Sequence, residues 1–479
     1  MIPEHLHFGG GAEETAIHPL MGAYLLIAVL LILVLPRAKA ITPFLFAFFT
    51  IPVEQVLVLG GFHFTALRVL ILAGLVRRVF FRKSSSGGKS LRGFGSVDWV
   101  VVLWSISAAI TFCIEYKQSQ AVIKEMGALL DTLGGFLVVR FLIPDGQALR
   151  RTVTTLAAIC VLLGACMVNE VVTHKNVFGY LGQQGTGVEM RNGKVRAGAT
   201  LGALYAGAFS GVLIPLFLWL SKDKKYRTMA YAGVAGAIAM VITTTSSTSY
   251  MALMGGFVGL AFWPLRNQMR FVRWGLVSVL VVLHMVMKAP VWALIQRIDL
   301  TGSSSGSHRF MLVDMTIRHF SEWWLVGTQA YPGWGWESWD LCNQFVVVAL
   351  TGGLLPLIFY IAIFTRSFAA IGTARKLVNG DRKQEWFFWC LGSSLFATIM
   401  GHFGINYMAQ LIMGFFCLVV CISVATSEVE QAAVQTLEVP GREQFLSASA
   451  AAGIRLPIGK ATQKARYGAS SRLKERFTP

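Results

Sequence analysis

Long apolar runs, each close to the ~20 residues a helix needs to cross a bilayer, alternate with short polar connections along the chain. The runs lie at 19–35, 41–60, 64–81, 97–114, 121–143, 152–169, 198–220, 228–244, 249–264, 274–290, 345–365, 386–403 and 407–425. Read as helices, they predict an all-α polytopic membrane protein with about 12–13 crossings. The 41–60 run is interrupted by Pro43, Pro52 and Glu54, so it reads either as a span or as a broken, re-entrant helix. A membrane β-barrel would show short alternating segments instead, and none appear.

Two long connections, about 170–197 and 291–344, fall on one side of this arrangement. The stretch 82–96, "RKSSSGGKSLRGFGS", reads as a flexible linker on the other side. Residues 1–425 form the transmembrane part, and 426–479 read as a basic, disordered cytoplasmic tail. The segment before the first span carries Glu4, Glu13 and Glu14 but no Lys or Arg, the reverse of a secretory signal's basic start. It is expected to remain as an anchor with its N-terminus outside.

Composition supports the membrane reading: the chain is 55% hydrophobic and only 14% charged, more apolar surface than soluble domains can bury. The net charge of +18 would suit nucleic acid, but the basic residues cluster between spans. Arg77, Arg78, Arg82 and Lys83, then Lys222, Lys224, Lys225 and Arg227, then Arg266, Arg270 and Arg273 are examples. This is the positive-inside distribution of cytoplasmic connections, so no nucleic-acid partner is expected. Six of the seven cysteines lie in apolar runs; only Cys342 falls in a large loop, and no metal-ligand spacing occurs. Neither metal nor cofactor is expected.

Against that charge pattern, basic residues on the outer side are informative. "GVEMRNGKVRAGATLGALYAGA" places Arg191, Lys194 and Arg196 just before a span. Guanidinium groups bind phosphate oxygens bidentately, and Arg196 is the strongest candidate; headgroup snorkelling is the alternative for all three. In the second loop, 307–324 suits an amphipathic helix lying along the membrane, with Asp314, Arg318 and Glu322 at pairing distance. Arg309 has no partner at helical spacing and is the second phosphate candidate. Five of the thirteen tryptophans, Trp323, Trp324, Trp334, Trp336 and Trp339, follow within a short stretch. Trp323 and Trp324 read as interface anchors, whereas Trp334, Trp336 and Trp339 suit stacking on sugar rings. Glu337 and Asp340 add carboxylates able to accept a hydroxyl proton. The run "TTTSSTS", 243–249, either re-satisfies backbone groups at a helix break or lines a polar cavity.

Three stretches resemble the O-antigen ligase and polysaccharide polymerase superfamily of bacterial inner-membrane proteins. These are "KVRAGATLGALYAGAF"; "HRFMLVDMTIRHFSEWWLVGT" with "GWGW"; and "DLCNQFVVVALTGGLLPLIFY". The motifs cover about a quarter of the chain. The resemblance implies a metal-independent glycosyltransferase in the inner membrane with its site facing the periplasm. Its donor would be a glycan on undecaprenyl diphosphate, its acceptor a glycan or lipid hydroxyl, with membrane lipids and flippase or export proteins as further partners. It also implies that Arg196 and Arg309 hold the diphosphate, with Arg191, Lys194, Arg318, the three loop tryptophans and Asn343 around the substrate. Many ligases carry His-Asn where this chain has Cys342-Asn343. Asp340 is the first candidate for the base, with His308 and His319 as alternatives. The missing histidine favours polymerisation over ligation. A lipid-linked oligosaccharide flippase is the competing class, and Glu54, Arg68, Lys124, Glu125 and Asp131 are its candidate intramembrane charges.

Overall fold

The computed structural model describes residues 15–59, 62–80, 94–183, 187–191, 193–297, 305–335 and 337–437. They are mostly helical, and the architecture is that of a polytopic membrane protein. Helix α1 (Pro19–Val34) is followed by α2 (Ile41–Thr50), which stops short of a crossing. The chain then turns through a hairpin, β1 (Val56–Leu59) with β2 (Phe62–Thr65), before α3 (Ala66–Phe80). The broken reading of 41–60 is therefore the one observed. Pro52, just past the helix end, cannot donate an amide hydrogen to continue it.

Helix α4 (Ser96–Tyr116) ends on Lys117 in the left-handed conformation. The 121–143 run is a helix with a π-turn at Leu130–Gly134 between α5 (Ser119–Leu129) and α6 (Gly135–Leu142). Helix α7 (Gly146–Thr173) leads into the first long loop, where β3 (Glu189–Arg191) and β4 (Lys194–Arg196) form a small hairpin. Helices α8 (Ala203–Leu220), α9 (Arg227–Thr243) and α10 (Ser247–Ala261) follow. Helix α11 (Met269–Val286) has no buried residue and lies at the rim. Six helices among the described residues are long and apolar enough to cross a membrane: α4, α7, α8, α11, α15 (Leu354–Leu377) and α17 (Ala409–Leu437).

The second loop holds α12 (Ser305–Arg318) and the one-turn α13 (Phe320–Trp323), close to the expected amphipathic helix. The 345–365 run, expected as one span, is not one helix. Helix α14 (Gln344–Gly352) ends at Gly353, whose φ of 83° is a glycine conformation, and α15 begins at the next residue. In a continuous helix Phe345 and Phe364 would be ~28 Å apart. Their ring centroids are 5.9 Å apart, so α14 folds back along α15. A side chain at Gly353 would meet the Leu325 carbonyl at 2.7 Å, and one at Gly327 the Leu350 carbonyl at 2.4 Å. The two glycines let the loop pack against the fold-back. Helix α16 (Arg382–His402) and α17 (Ala409–Leu437) complete the bundle. Helix α17 thus continues beyond 425, through residues expected in the tail; 438–479 and most of the 82–96 linker lie outside the described residues.

Helix α8 is the centre of the core, packed against α7, α9, α10 and α16. Small residues permit close crossings, between α7 and α9 and between α8 and α10. A Cβ on Gly236 would meet the Cys160 carbonyl at 2.5 Å, and one on Gly207 the Ser249 hydroxyl at 2.1 Å. The second crossing brings the α9–α10 connection onto the start of α8. At the opposite end of the bundle, basic residues tie helix ends together: Arg77 to the carbonyls of Ile32 and Leu35, Arg140 to Asp98, Arg150 to Asp223 and Arg266 to Glu385.

Candidate active site

The hydroxyl-rich run is the turn between α9 and α10. Thr243 and Thr244 donate back to the carbonyls of Ala239 and Val241, and Thr245 takes a left-handed φ of 45°. Thr244 and Ser249 hydroxyls meet at 3.0 Å across the break. Threonine and serine are suited to this place because their hydroxyls occupy backbone groups freed where the helix stops.

Two buried arginines converge on this turn. Arg196, 5% exposed, follows the β3–β4 hairpin. Its Nε donates to the Thr244 carbonyl at 3.4 Å, and the next amide, Ala197, donates to the Thr243 carbonyl at 3.1 Å. The chain beyond is fixed by Glu170, buried at the end of α7, whose carboxylate accepts from the amides of Gly198 and Ala199. Arg309, 3% exposed on α12, donates from Nη2 to the hydroxyls of Ser247 at 3.1 Å and Thr248 at 2.9 Å. Thr248 in turn donates to the Gly404 carbonyl at 2.9 Å, joining the α16–α17 loop to the same site.

Arg196 has an acidic partner: Nη1 pairs with Glu189, its cross-strand neighbour in the hairpin. Its Nη2 is buried and makes no hydrogen bond among the described residues.

A second group stands beside Arg309. His308 Nε2 lies 3.1 Å from the Glu337 carbonyl. A carbonyl can only accept, so Nε2 carries the proton and Nδ1 is left as acceptor. That Nδ1 meets the Cys342 sulfur at 3.3 Å. Glu337 has a left-handed φ of 53°, which belongs to the turn presenting this carbonyl. Burial pushes the Cys342 thiol up to about 11; nearby Arg309 opposes the shift and Asp340 adds to it. The thiol is neutral at ordinary pH. Asp340 is exposed, and its carboxylate forms no hydrogen bond or ion pair among the described residues. Tyr205, near the start of α8, donates to Asn406 at 3.0 Å in the same region, and the Asp340 charge acts on it.

The remaining candidates divide by environment. Asn343 is buried and caps α14, its Oδ1 accepting from the amides of Phe345 and Val346. This gives its carbonyl oxygen a structural task. Trp334 stacks on His319, rings 4.4 Å apart at 9°, and donates to Glu322 at 3.1 Å. Glu322, expected to pair with Arg318, is thus used by a tryptophan. Arg318 pairs with Asp314 at 2.6 Å, and Asp314 also accepts from Trp292. Trp323, expected at the membrane interface, is buried with its Nε1 on the Thr316 carbonyl at 2.7 Å. Trp339 is 66% exposed, whereas Trp336 lies outside the described residues. Arg191 and Lys194 are exposed at the tip of the hairpin.

The structure therefore brings Arg196 and Arg309 to the 243–249 turn and adds the His308–Cys342 contact, while the Asp340 charge acts on Cys342 and Tyr205. Sequence reasoning did not find that contact, although the His308-Arg309 pair in the motif was its available signal. Two guanidinium groups beside a hydroxyl-lined turn can hold an anion with several oxygens. A nearby carboxylate can receive a proton. No protein-family model and no curated protein matches this chain.

Proposed function

We propose that the protein transfers a glycan from a polyprenyl diphosphate carrier to a sugar hydroxyl at the outer surface of a bacterial inner membrane, most simply as a polysaccharide polymerase. The observation that carries this reading is the convergence of two buried arginines on one hydroxyl-rich turn, with the Arg196 Nη2 left without a partner. A buried guanidinium hydrogen with no acceptor costs ~1–3 kcal/mol, and a phosphate oxygen would remove that cost.

In the reaction, the acceptor hydroxyl attacks the donor's anomeric carbon while the bond from that carbon to the phosphate oxygen breaks. The electron pair leaves with the polyprenyl diphosphate, and Arg196 and Arg309 stabilise the charge that develops on it. The acceptor's proton goes to Asp340, the exposed carboxylate of the site. His308 has both ring nitrogens engaged within the protein, on Glu337 and Cys342, and is assigned a positioning role. Trp339 supplies an open aromatic face for a sugar. The transport reading gains less support. Its clearest intramembrane charges, Arg68 and Asp131, neutralise each other through a bidentate pair.

The test is purified protein in vesicles with an undecaprenyl diphosphate-linked oligosaccharide and chelator present. Release of undecaprenyl diphosphate together with a lengthened glycan is the expected result. Movement of intact donor across the vesicle without bond cleavage would replace this reading with transport.

A further inference from the structure

A second feature lies at the other end of the bundle. Helices α1 and α2 diverge around a groove of about 610 Å³. Its walls are apolar: Tyr24 and Leu31 from α1 face Phe46 from α2. Ile27 and Leu31, which line the groove, are themselves exposed, so it opens on the lipid-facing side of α1. Lys39 and Arg151 line the same groove, Lys39 from the α1–α2 connection and Arg151 from the first turns of α7. Neither side chain forms a hydrogen bond or ion pair among the described residues, and Arg151 is half-buried.

The surroundings favour an anion there. Arg37, Arg77, Arg78 and Arg140 crowd this end closely enough that the last three act on the Arg37 charge, and Asp145 is the one acid that faces Arg37 with them. Nearby basic ends are already tied up, Arg77 on the carbonyls of α1 and Arg140 on Asp98. Lys39 and Arg151 are the groove's own cations. The length also decides between ligands. From Tyr24 to Leu35 the groove follows α1 for ~16 Å, half of a ~30 Å hydrocarbon core. That is the depth of one leaflet, matching an acyl chain whose headgroup stays at the basic end.

We infer that this groove holds an anionic phospholipid of the leaflet on the basic side, its phosphate between Lys39 and Arg151 and one acyl chain along α1. The site is separate from the arginine turn at the loop end. Along α7, Arg151 and Glu170 are ~28 Å apart, nearly the full thickness of the hydrocarbon core. The inference does not depend on glycan transfer.

Native mass spectrometry of the detergent-purified chain with phosphatidylglycerol or phosphatidylcholine of identical acyl chains tests it. The wild-type protein should retain one phosphatidylglycerol with at least about tenfold preference, because both lipids offer a phosphate but the choline ammonium cancels its charge and is repelled by the crowded basic end. Lys39→Gln/Arg151→Gln, at positions that hold no other element in place, should lose the preference. Ile27→Trp, at an exposed position lining the groove, should fill it and lower retention of both lipids. Thermal unfolding should show stabilisation by phosphatidylglycerol in the wild type and not in the double variant. Equal retention of the two lipids by the wild type, or unchanged phosphatidylglycerol preference in the double variant, overturns the proposal.

Discussion

Thr248 is the residue through which the geometry of the site is most directly tested. Its hydroxyl accepts from Arg309 at 2.9 Å and donates to the Gly404 carbonyl at 2.9 Å, fully buried in both contacts. Thr248→Val keeps the branched shape and removes both bonds. A hydrogen bond to a charged group contributes ~1.5–3 kcal/mol. If Arg309 must be aimed for the reaction, that range corresponds to roughly 10- to 150-fold in rate, at 1.36 kcal/mol per decade. Ser247 still holds the same Nη2 at 3.1 Å, so the loss should fall toward the lower part of that range. The orphaned Gly404 carbonyl adds ~1–3 kcal/mol of destabilisation, which appears as a lower unfolding temperature rather than a lower rate. The assay is release of undecaprenyl diphosphate at matched membrane abundance, beside thermal unfolding in detergent. Thr248→Ser, which keeps the hydroxyl, should restore the rate. A Thr248→Val protein as active as wild type, or a serine variant as slow as the valine one, refutes the positioning argument.

Other expectations follow from single residues. Asp340→Asn should lose ~10²–10⁴-fold in turnover while still binding donor, and Cys342→Ser should remain active; a reversed pattern would transfer the chemistry to the thiol. The Cys342 thiol, raised by burial above its ordinary value to about 11, stays protonated while the unfolded thiol ionises near its ordinary value. Its stability contribution is therefore intact below that ordinary value and declines as the pH climbs toward 11. Alkylation of Cys342, followed by peptide mass spectrometry, should be slow at pH 8 and rise toward pH 11; rapid labelling at pH 7 would mean a thiolate. Gly353→Ala puts a Cβ at 2.7 Å from the Leu325 carbonyl in a conformation reserved for glycine, so it should cost at least ~1–3 kcal/mol of thermal stability. Unchanged unfolding would argue against the α14–α15 fold-back.

The helical, apolar character of the chain is legible in the sequence, whereas six helices among the described residues, against the expected 12–13 crossings, are long and apolar enough to span. The fold-back at Gly353 is not legible, since hydrophobicity is continuous across it; its trace is the Gly352-Gly353 pair ahead of Pro356. The arginines stand out because positive charge on the side expected to be outer runs against the topological preference. Their meeting place does not, since Arg196, Thr244, Thr248 and Arg309 are remote in sequence and joined only by packing of α8, α10 and α12. Glu189 and Arg196 pair across two strands seven residues apart, a contact that helical spacing does not reveal. Asn343 looked chemical from its place at the loop's end, yet that place is also where a helix needs a cap, and the cap is what the structure displays.

The central claim is that Arg196 and Arg309 together hold the diphosphate, and it is most directly measured by turnover of Arg196→Ala and Arg309→Ala in vesicles at equal protein content. Each substitution should lower release of undecaprenyl diphosphate by ~10²–10³-fold, the effect of losing one oxyanion donor, and lysine should recover only part because it lacks the guanidinium fork. Wild-type turnover by either alanine variant would contradict the account.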